Sequence, residues 1–412
     1  MSDLAKQIAA DMAGWDAIDD HRTGTAGDRQ TSDWLSGRVE STGLVPRRDD
    51  FPLSRWVLEH CVLDVDGTVV EGVPLFDGGT TGPEGVVGDL GLVGEGSGRS
   101  AWLGRRRSRR TAAAKRRPGY GALVRSRGKP RIGVGAFGNA AGEATGALAA
   151  ARRSDEYGAI VAVSRMDTRV TGLALQNADR FNEPFGPPVL QVATEYEEWL
   201  QNAAAIGASA RLTAHVTRET ATGSNVFCRV PGRDPALEPL TVVTPKSAWW
   251  VCTAERGGGI AVWLALLRYF AASQPARDVV FIATSGHELG HLGLEHFLAT
   301  KVTPRSHAWI HLGANFAAVD SRIRLQASDR EFMDMAEGAL SAHGAPVSTR
   351  TPLGERPGGE ARNIYDLGER YVSLLGSNRW FHHPDDRWPT TIDLDNTERV
   401  AHAVLAIATR LA

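Results

Sequence analysis

The sequence predicts an α/β protein, a three-layer sandwich around a mixed, mostly parallel sheet, interrupted by a small β-rich insert. Two observations carry this expectation. From about residue 222 onward, apolar strand segments alternate with helical segments, the pattern of a layered sheet with parallel neighbours. Between residues 51 and 90 the period shifts to alternating apolar and polar positions, which reads as short strands.

Taken in order, "DLAKQIAADMAGW" and "DRQTSDWLSGRVESTGL" have helical spacing and flank the polar turn "DDHRTGTAG". "RWVLEHCVLDVDGTVVEGVPLF" reads as strands with an Asp-Gly hairpin turn. Residues 93–138 are dense in Arg and Lys without a period; a solvated surface loop is the expectation, with a basic loop for an acidic partner or nucleic acid and a local reading-frame slip in the gene as the alternatives. "DEYGAIVAVSR" is a strand, and "PPVLQVATEYEEWLQNAAAIGASARLTAHV" gives strand, helix and strand. "TGSNVFCRVPG" and "LTVVTP" are strands, "GGGIAVWLALLRYFAAS" an apolar helix, and "RDVVFIATS" a buried strand. "SHAWIHLGANF", "DREFMDMAEGALSAHG", "ERYVSLLG" and "NTERVAHAVLAIATRL" complete the alternation as strand, helix, strand and helix.

The 412 residues include 42% hydrophobic and 23% charged ones, with a formal net charge of −2, an ordinary globular composition. That balance argues against a nucleic-acid partner, which usually demands a basic chain. No stretch has the apolar length of a membrane helix, and the first residues lack the apolar core of a signal peptide. The 3 cysteines are odd in number and widely spaced, so a cytoplasmic protein with reduced thiols is expected.

"GHELGH" invites a zinc-protease reading, with His287 and His291 as ligands and Glu288 as base. That chemistry needs both histidines inside one long helix. Here "VVFIATS" is a strand ending just before Gly286, so the motif falls at a strand exit, and the zincin is the lesser alternative. In open α/β sheets, sites form beyond the carboxyl ends of strands. Three further groups with ligand chemistry fall there: Glu255 in "CTAERGGGIA", Glu288, and His382 or His383 in "RWFHHPDDRW". Two carboxylates and an imidazole suit one open zinc site with a position left for water. Each also has a plain structural reading; Glu255, for example, could be a helix-N-terminal acid paired with Arg256.

The chain resembles the zinc aminopeptidases and carboxypeptidases that share a fold with glutaminyl cyclase and the transferrin receptor. "HRTGTAGDRQTSDWLSGRVESTGLVP", "TGSNVFCRVPG", "RGGGIAVWLALLRYF", "DVVFIATSGHELGHLGLEHF" and "FHHPDDRWPTTID" match five family segments in the correct order. The resemblance implies an α/β peptidase-like domain made of residues 1–50 and 216–412, with residues 51–215 an insert similar in position and pattern to a protease-associated domain. The resemblance implies two zinc sites, and this sequence departs from one of them. The private His of the first site falls in "TPKSAWW", which has none, and its private Asp falls at Gly313. The bridging Asp corresponds to Glu255, and the second site's ligands to Glu288 and His382. The family's general base corresponds to His287, whose ordinary pKa near neutrality suits proton transfer.

The resemblance thus implies one zinc ion, in the manner of glutaminyl cyclase, acting on an amide or peptide bond by hydrolysis or transfer. A metal-free pseudoenzyme serving as a binding module is the alternative. Trp249 and Trp250 could line a substrate pocket or simply pack. His311 and Asn315 could bind substrate polar atoms, Arg256 could clamp a carboxylate, and His383 could exchange roles with His382. Asp386 is expected to orient a ligand imidazole, and Glu360 falls near a loop that lines the family's pocket. Oligomeric state cannot be read from the sequence.

Overall fold

The computed structural model describes residues 1–94, 131–138, 143–300 and 305–412. Most of the Arg-rich stretch, residues 95–130, lies outside the described residues. The chain opens with α1 (Asp3–Asp16) and α2 (Ala26–Glu40), then β1 (Arg47–Val65), β2 (Thr68–Glu71), β3 (Val73–Pro74), β4 (Val86–Leu92) and β5 (Arg131–Gly138). Next come α3 (Glu143–Arg153), β6 (Tyr157–Arg165), β7 (Val189–Val192), α4 (Glu197–Ala205) and β8 (Ser209–Val230). The later part runs β9 (Leu240–Pro245), α5 (Gly258–Ala272), β10 (Val279–Thr284), α6 (Leu292–Thr300), β11 (Ala308–Leu312) and β12 (Arg324–Ala327). It closes with α7 (Arg330–Ala342), β13 (Thr349–Arg350), α8 (Ala361–Asp366), β14 (Tyr371–Leu375) and α9 (Leu394–Leu411).

Helix starts follow capping chemistry. Ser2, Thr25, Asp329 and Asp393 each accept a backbone N–H from the first turn of α1, α2, α7 and α9. The strands form one mixed sheet of 14. It contains two parallel blocks, β14-β11-β9-β10 and β4-β5-β6-β7, and the antiparallel β8 joins them. The Asp66-Gly67 turn links β1 to β2 as expected, but β1 is much longer than the short strands the sequence suggested. It pairs with β8 from Arg47↔Phe227 to Val65↔Ala210, with an irregularity between Leu58 and His60. The boundaries expected at 51 and 216 therefore fall inside two strands that run through both halves.

β9 is buried at every position, as a central parallel strand must be. Its neighbouring residues Val242 and Val243 face opposite layers. Val242 joins the core made with α1, α2, α5, α7 and α9; Val243 joins Leu294 and Phe297 of α6 and Ile364 of α8. The strands β4–β7 repeat this plan, with α4 on one side and α3 on the other. No helix among the described residues is long and apolar enough to cross a membrane.

Candidate functional site

β9, β10, β11 and β14 are parallel neighbours, so their carboxyl ends lie along one edge. The segments that leave that edge carry Lys246–Glu255, Ser285–His291, Gly313–Asn315 and Gly376–Asp386. Apart from His311, which lies in β11, and Arg256, in the turn just after Glu255, the expected site residues arrive from these four segments at one edge. Six non-glycine residues among those described have positive φ, and four of them, Cys252, His291, Asn315 and His382, lie in these loops. Such strain is retained where a surrounding structure fixes a functional geometry.

Glu255 and His382 meet. Nε2 of His382 lies 3.4 Å from Oε1 of Glu255, and both side chains are 1% exposed. The backbone N–H of His382 donates to Oε2 at 3.2 Å. Nδ1 of His382 donates to the carbonyl of Leu175 at 2.6 Å, which leaves Nε2 as the ring nitrogen that faces Glu255. That Nε2 has no hydrogen-bond partner. His383 does not share this role. Its Nδ1 accepts from the Asp385 N–H at 3.1 Å and its Nε2 approaches Gly172.

Glu255 sits in a five-residue π turn, Thr253–Gly257. Asp386 holds that turn rather than an imidazole, because its oxygens accept the N–H groups of Ala254 at 2.9 Å and Glu255 at 3.0 Å. Asn378 and Thr391 donate to it as well, at 3.0 and 2.7 Å. Among the described residues, the group of three acid or thiol donors within 4.8 Å of one another is Cys252, Glu255 and Asp386. Asp386 has its lone pairs committed, and burial pushes its pKa to about 7. Burial also raises the Cys252 thiol well above its ordinary value. Glu255 is thus the available donor of the three.

Arg256 is buried beside it, with Nη2 2.7 Å from Glu255 Oε1. Its Nε donates to the Ser247 carbonyl at 3.1 Å, and its Nη1 has no partner. Burial would raise the Glu255 pKa, but the charge of Arg256, and then His382, outweigh it and hold the group at about 2. Glu288, the third expected ligand, points elsewhere. Its Oε1 accepts the Thr23 N–H at 2.8 Å and its Oε2 the Ser247 hydroxyl at 2.6 Å. Burial raises its pKa, and these donors oppose the shift.

His287 lies in a short 3-10 turn, His287–Leu289, and α6 begins only at Leu292 after a break at His291. The single helix that a zincin requires is absent, which corrects that alternative. His291 stacks on His287 at 4.6 Å and its Nδ1 pairs with Oδ1 of Asn363 at 2.7 Å. Nδ1 of His287 faces Oε1 of Glu360 at 3.5 Å. Thr284 donates to Glu360, whose pKa burial lifts to about 7. Burial, followed by the charge of Arg256, keeps the His287 imidazole neutral by lowering its pKa well below 6.5.

Of the remaining candidates, His311 pairs with the Ser373 hydroxyl at 2.8 Å, and its Nε2 is unpartnered. Asn315 donates its N–H to the Glu255 carbonyl at 3.2 Å, and its Oδ1 is unpartnered. Trp249 packs with Phe76, Trp56, Leu175 and Phe181 and donates to Asn177 at 3.1 Å; Trp250 lies against the same cluster. Both tryptophans therefore pack against the insert. The stretch expected to hold the first metal's His holds Lys246, buried and paired with Asp28 and Ser285.

Sequence reading missed Thr23 and Ser247, since isolated Ser and Thr carry no spacing signal. It also missed the segment 172–181, which crosses the site. Leu175 bonds to His382, and the Ala178 N–H donates to the Glu288 carbonyl at 2.8 Å.

The fold is a layered α/β one with its polar side chains gathered at the strand-exit edge. Residues 255–408 match the model of Peptidase family M28. No curated protein matches. Among solved structures, a zinc aminopeptidase from Bacillus subtilis is similar over 98% of this chain and 94% of its own, with 15% identity and a TM-score of 0.72. A peptidase M28 precursor from Shewanella amazonensis is similar over 99% and 95%, at 14% identity and TM-score 0.71. An aminopeptidase from Aneurinibacillus sp. strain AM-1 is similar over 99% and 94%, at 12% identity and TM-score 0.68. At these identities what they share with this chain is the fold.

Proposed function

We propose that the protein is a divergent peptidase-family metallohydrolase that acts on a peptide or small amide and holds one zinc ion. The observation that carries this reading is the buried pair of Glu255 Oε1 and the unpartnered His382 Nε2, 3.4 Å apart at the strand-exit edge. The donor chemistry suits one zinc and not two. Glu255 and His382 would hold it, with Glu288 as the third donor once it leaves Ser247 and Thr23. The other family position offers an ion-paired lysine, Lys246, and a glycine, Gly313.

When bound, zinc supplies Lewis-acid polarisation of a carbonyl and a more acidic water. The protein's own groups would then serve the proton. His287 is neutral and can accept one, and Glu360 beside its Nδ1 gives that proton an acceptor. Hydrolysis is the simpler outcome of this set, and transfer to an internal amine stays within the same proposal. The reading extends to a cytoplasmic location, supported by three free cysteines, and to residues 51–215 as a protease-associated-like insert.

A second reading is favoured by one observation, the 2.7 Å contact of Arg256 with Glu255, which gives the site a cation without a metal. On that reading the chain is a metal-free binding module. Elemental mass spectrometry of zinc-saturated protein separates the two, with Glu255→Gln and His382→Ala alongside. About one zinc per chain, lost in both variants, is expected. Folded protein that takes up none would transfer the conclusion to the binding module.

A further inference from the structure

We infer that Arg256 is a built-in competitor for the metal position, and that Ser247 latches the site in its metal-free arrangement. This rests on the one-zinc reading and concerns how the site is filled. A carboxylate as buried as Glu255 needs a counter-charge. Arg256 provides one by placing Nη2 2.7 Å from Oε1. That is the same oxygen that faces His382 Nε2 at 3.4 Å, so guanidinium and zinc require one atom. Two cations at a single carboxylate oxygen repel strongly in a buried site.

The guanidinium is not fully satisfied where it stands. It has an ion pair through Nη2 and one hydrogen bond through Nε, while the buried Nη1 has no partner. The Arg256 backbone lies in a π turn, a local widening often found where a helix start serves a site.

Ser247 supplies the second, independent observation. Its carbonyl accepts from Arg256 Nε at 3.1 Å, and its hydroxyl donates to Glu288 Oε2 at 2.6 Å. One residue therefore keeps the internal cation in and the third donor turned away. Zinc entry requires both contacts to break, so the two arrangements exclude each other.

The test is calorimetric titration of zinc ions into the full chain as wild type, Arg256→Gln, Arg256→Lys and Ser247→Ala, with circular dichroism to confirm folding. Arg256→Gln should tighten zinc binding about ten-fold or more, the usual reach of groups that contact a metal's ligands. Arg256→Lys keeps the charge and should stay close to wild type. Ser247→Ala leaves the buried ion pair intact, so it covers the case in which Arg256→Gln fails to fold; it should also tighten binding. Adding His382→Ala to the tightened variant should abolish the gain. Wild type and both neutralised or unlatched variants binding zinc equally, with loss in His382→Ala, would overturn the competition and leave the zinc reading standing. Absence of zinc binding in every folded variant would overturn both together.

Discussion

His311 is enclosed at the end of β11 with the Ser373 hydroxyl as its one hydrogen-bond partner. Burial first, and the charge of Arg256 second, hold its pKa at about 3. The unfolded chain takes up this proton near pH 6.5 and the folded chain refuses it, so stability is lost as pH falls below 6.5. Between about pH 7.5 and about pH 5.5 the loss from this one group is about 1.4 kcal/mol. Urea unfolding at those two values should therefore show wild type losing about 1.4 kcal/mol more than His311→Gln. Equal losses would mean that the imidazole protonates in the folded state. At this scale the sequence revealed the residue types of the site but not their partners. Glu255 and His382 could be found because each stands in a segment with family spacing. Thr23 could not, since it reaches Glu288 across 265 positions of sequence. The pairing of Glu255 with Arg256, one of the two sequence readings of Glu255, is present at 2.7 Å.

The elements of the α/β layers were legible because their periods are local properties. The apolar run of α5 and the buried strands β9 and β10 stand where the pattern placed them. Segment 172–181 has no period to read, and its position is fixed by contacts rather than propensity. Gly172, with φ +124°, lets the chain pass His383, where a Cβ would come within 2.5 Å of Nε2. Beyond it, Leu175, Ala178 and Phe181 join the apolar cluster of Trp249 and Leu289. This strap covers the site edge, and Asn177 ties it to the Trp249 indole. Asn177→Ala should cost about 1–2 kcal/mol locally by leaving that N–H unpaired. Hydrogen exchange should then quicken at Leu175 and Ala178 while the α5 amides keep their protection. Unchanged exchange across 172–181 would show that the apolar contacts alone hold the strap down.

The whole molecule is built on a sheet that does not stop at the insert. β8 pairs with β10 in one half and with β4 in the other, and β1 follows it for nearly its full length. Calorimetric unfolding should accordingly show one cooperative transition. Two well-separated transitions would mean that the halves melt independently in spite of the shared strands. The resemblance set the expected limits at 51 and 215 by position and pattern, which do not reveal pairing partners; the continuity of β1 and β8 is a property of register. That continuity also limits how such a gene can be rearranged. A recombination that trades the insert must cut two strands at facing residues, for instance at Trp56 and its partner Arg218. A crossover displaced by one codon on either side would turn every following side chain to the wrong face. Inheritance of the two halves as one unit follows from the hydrogen-bond ladder.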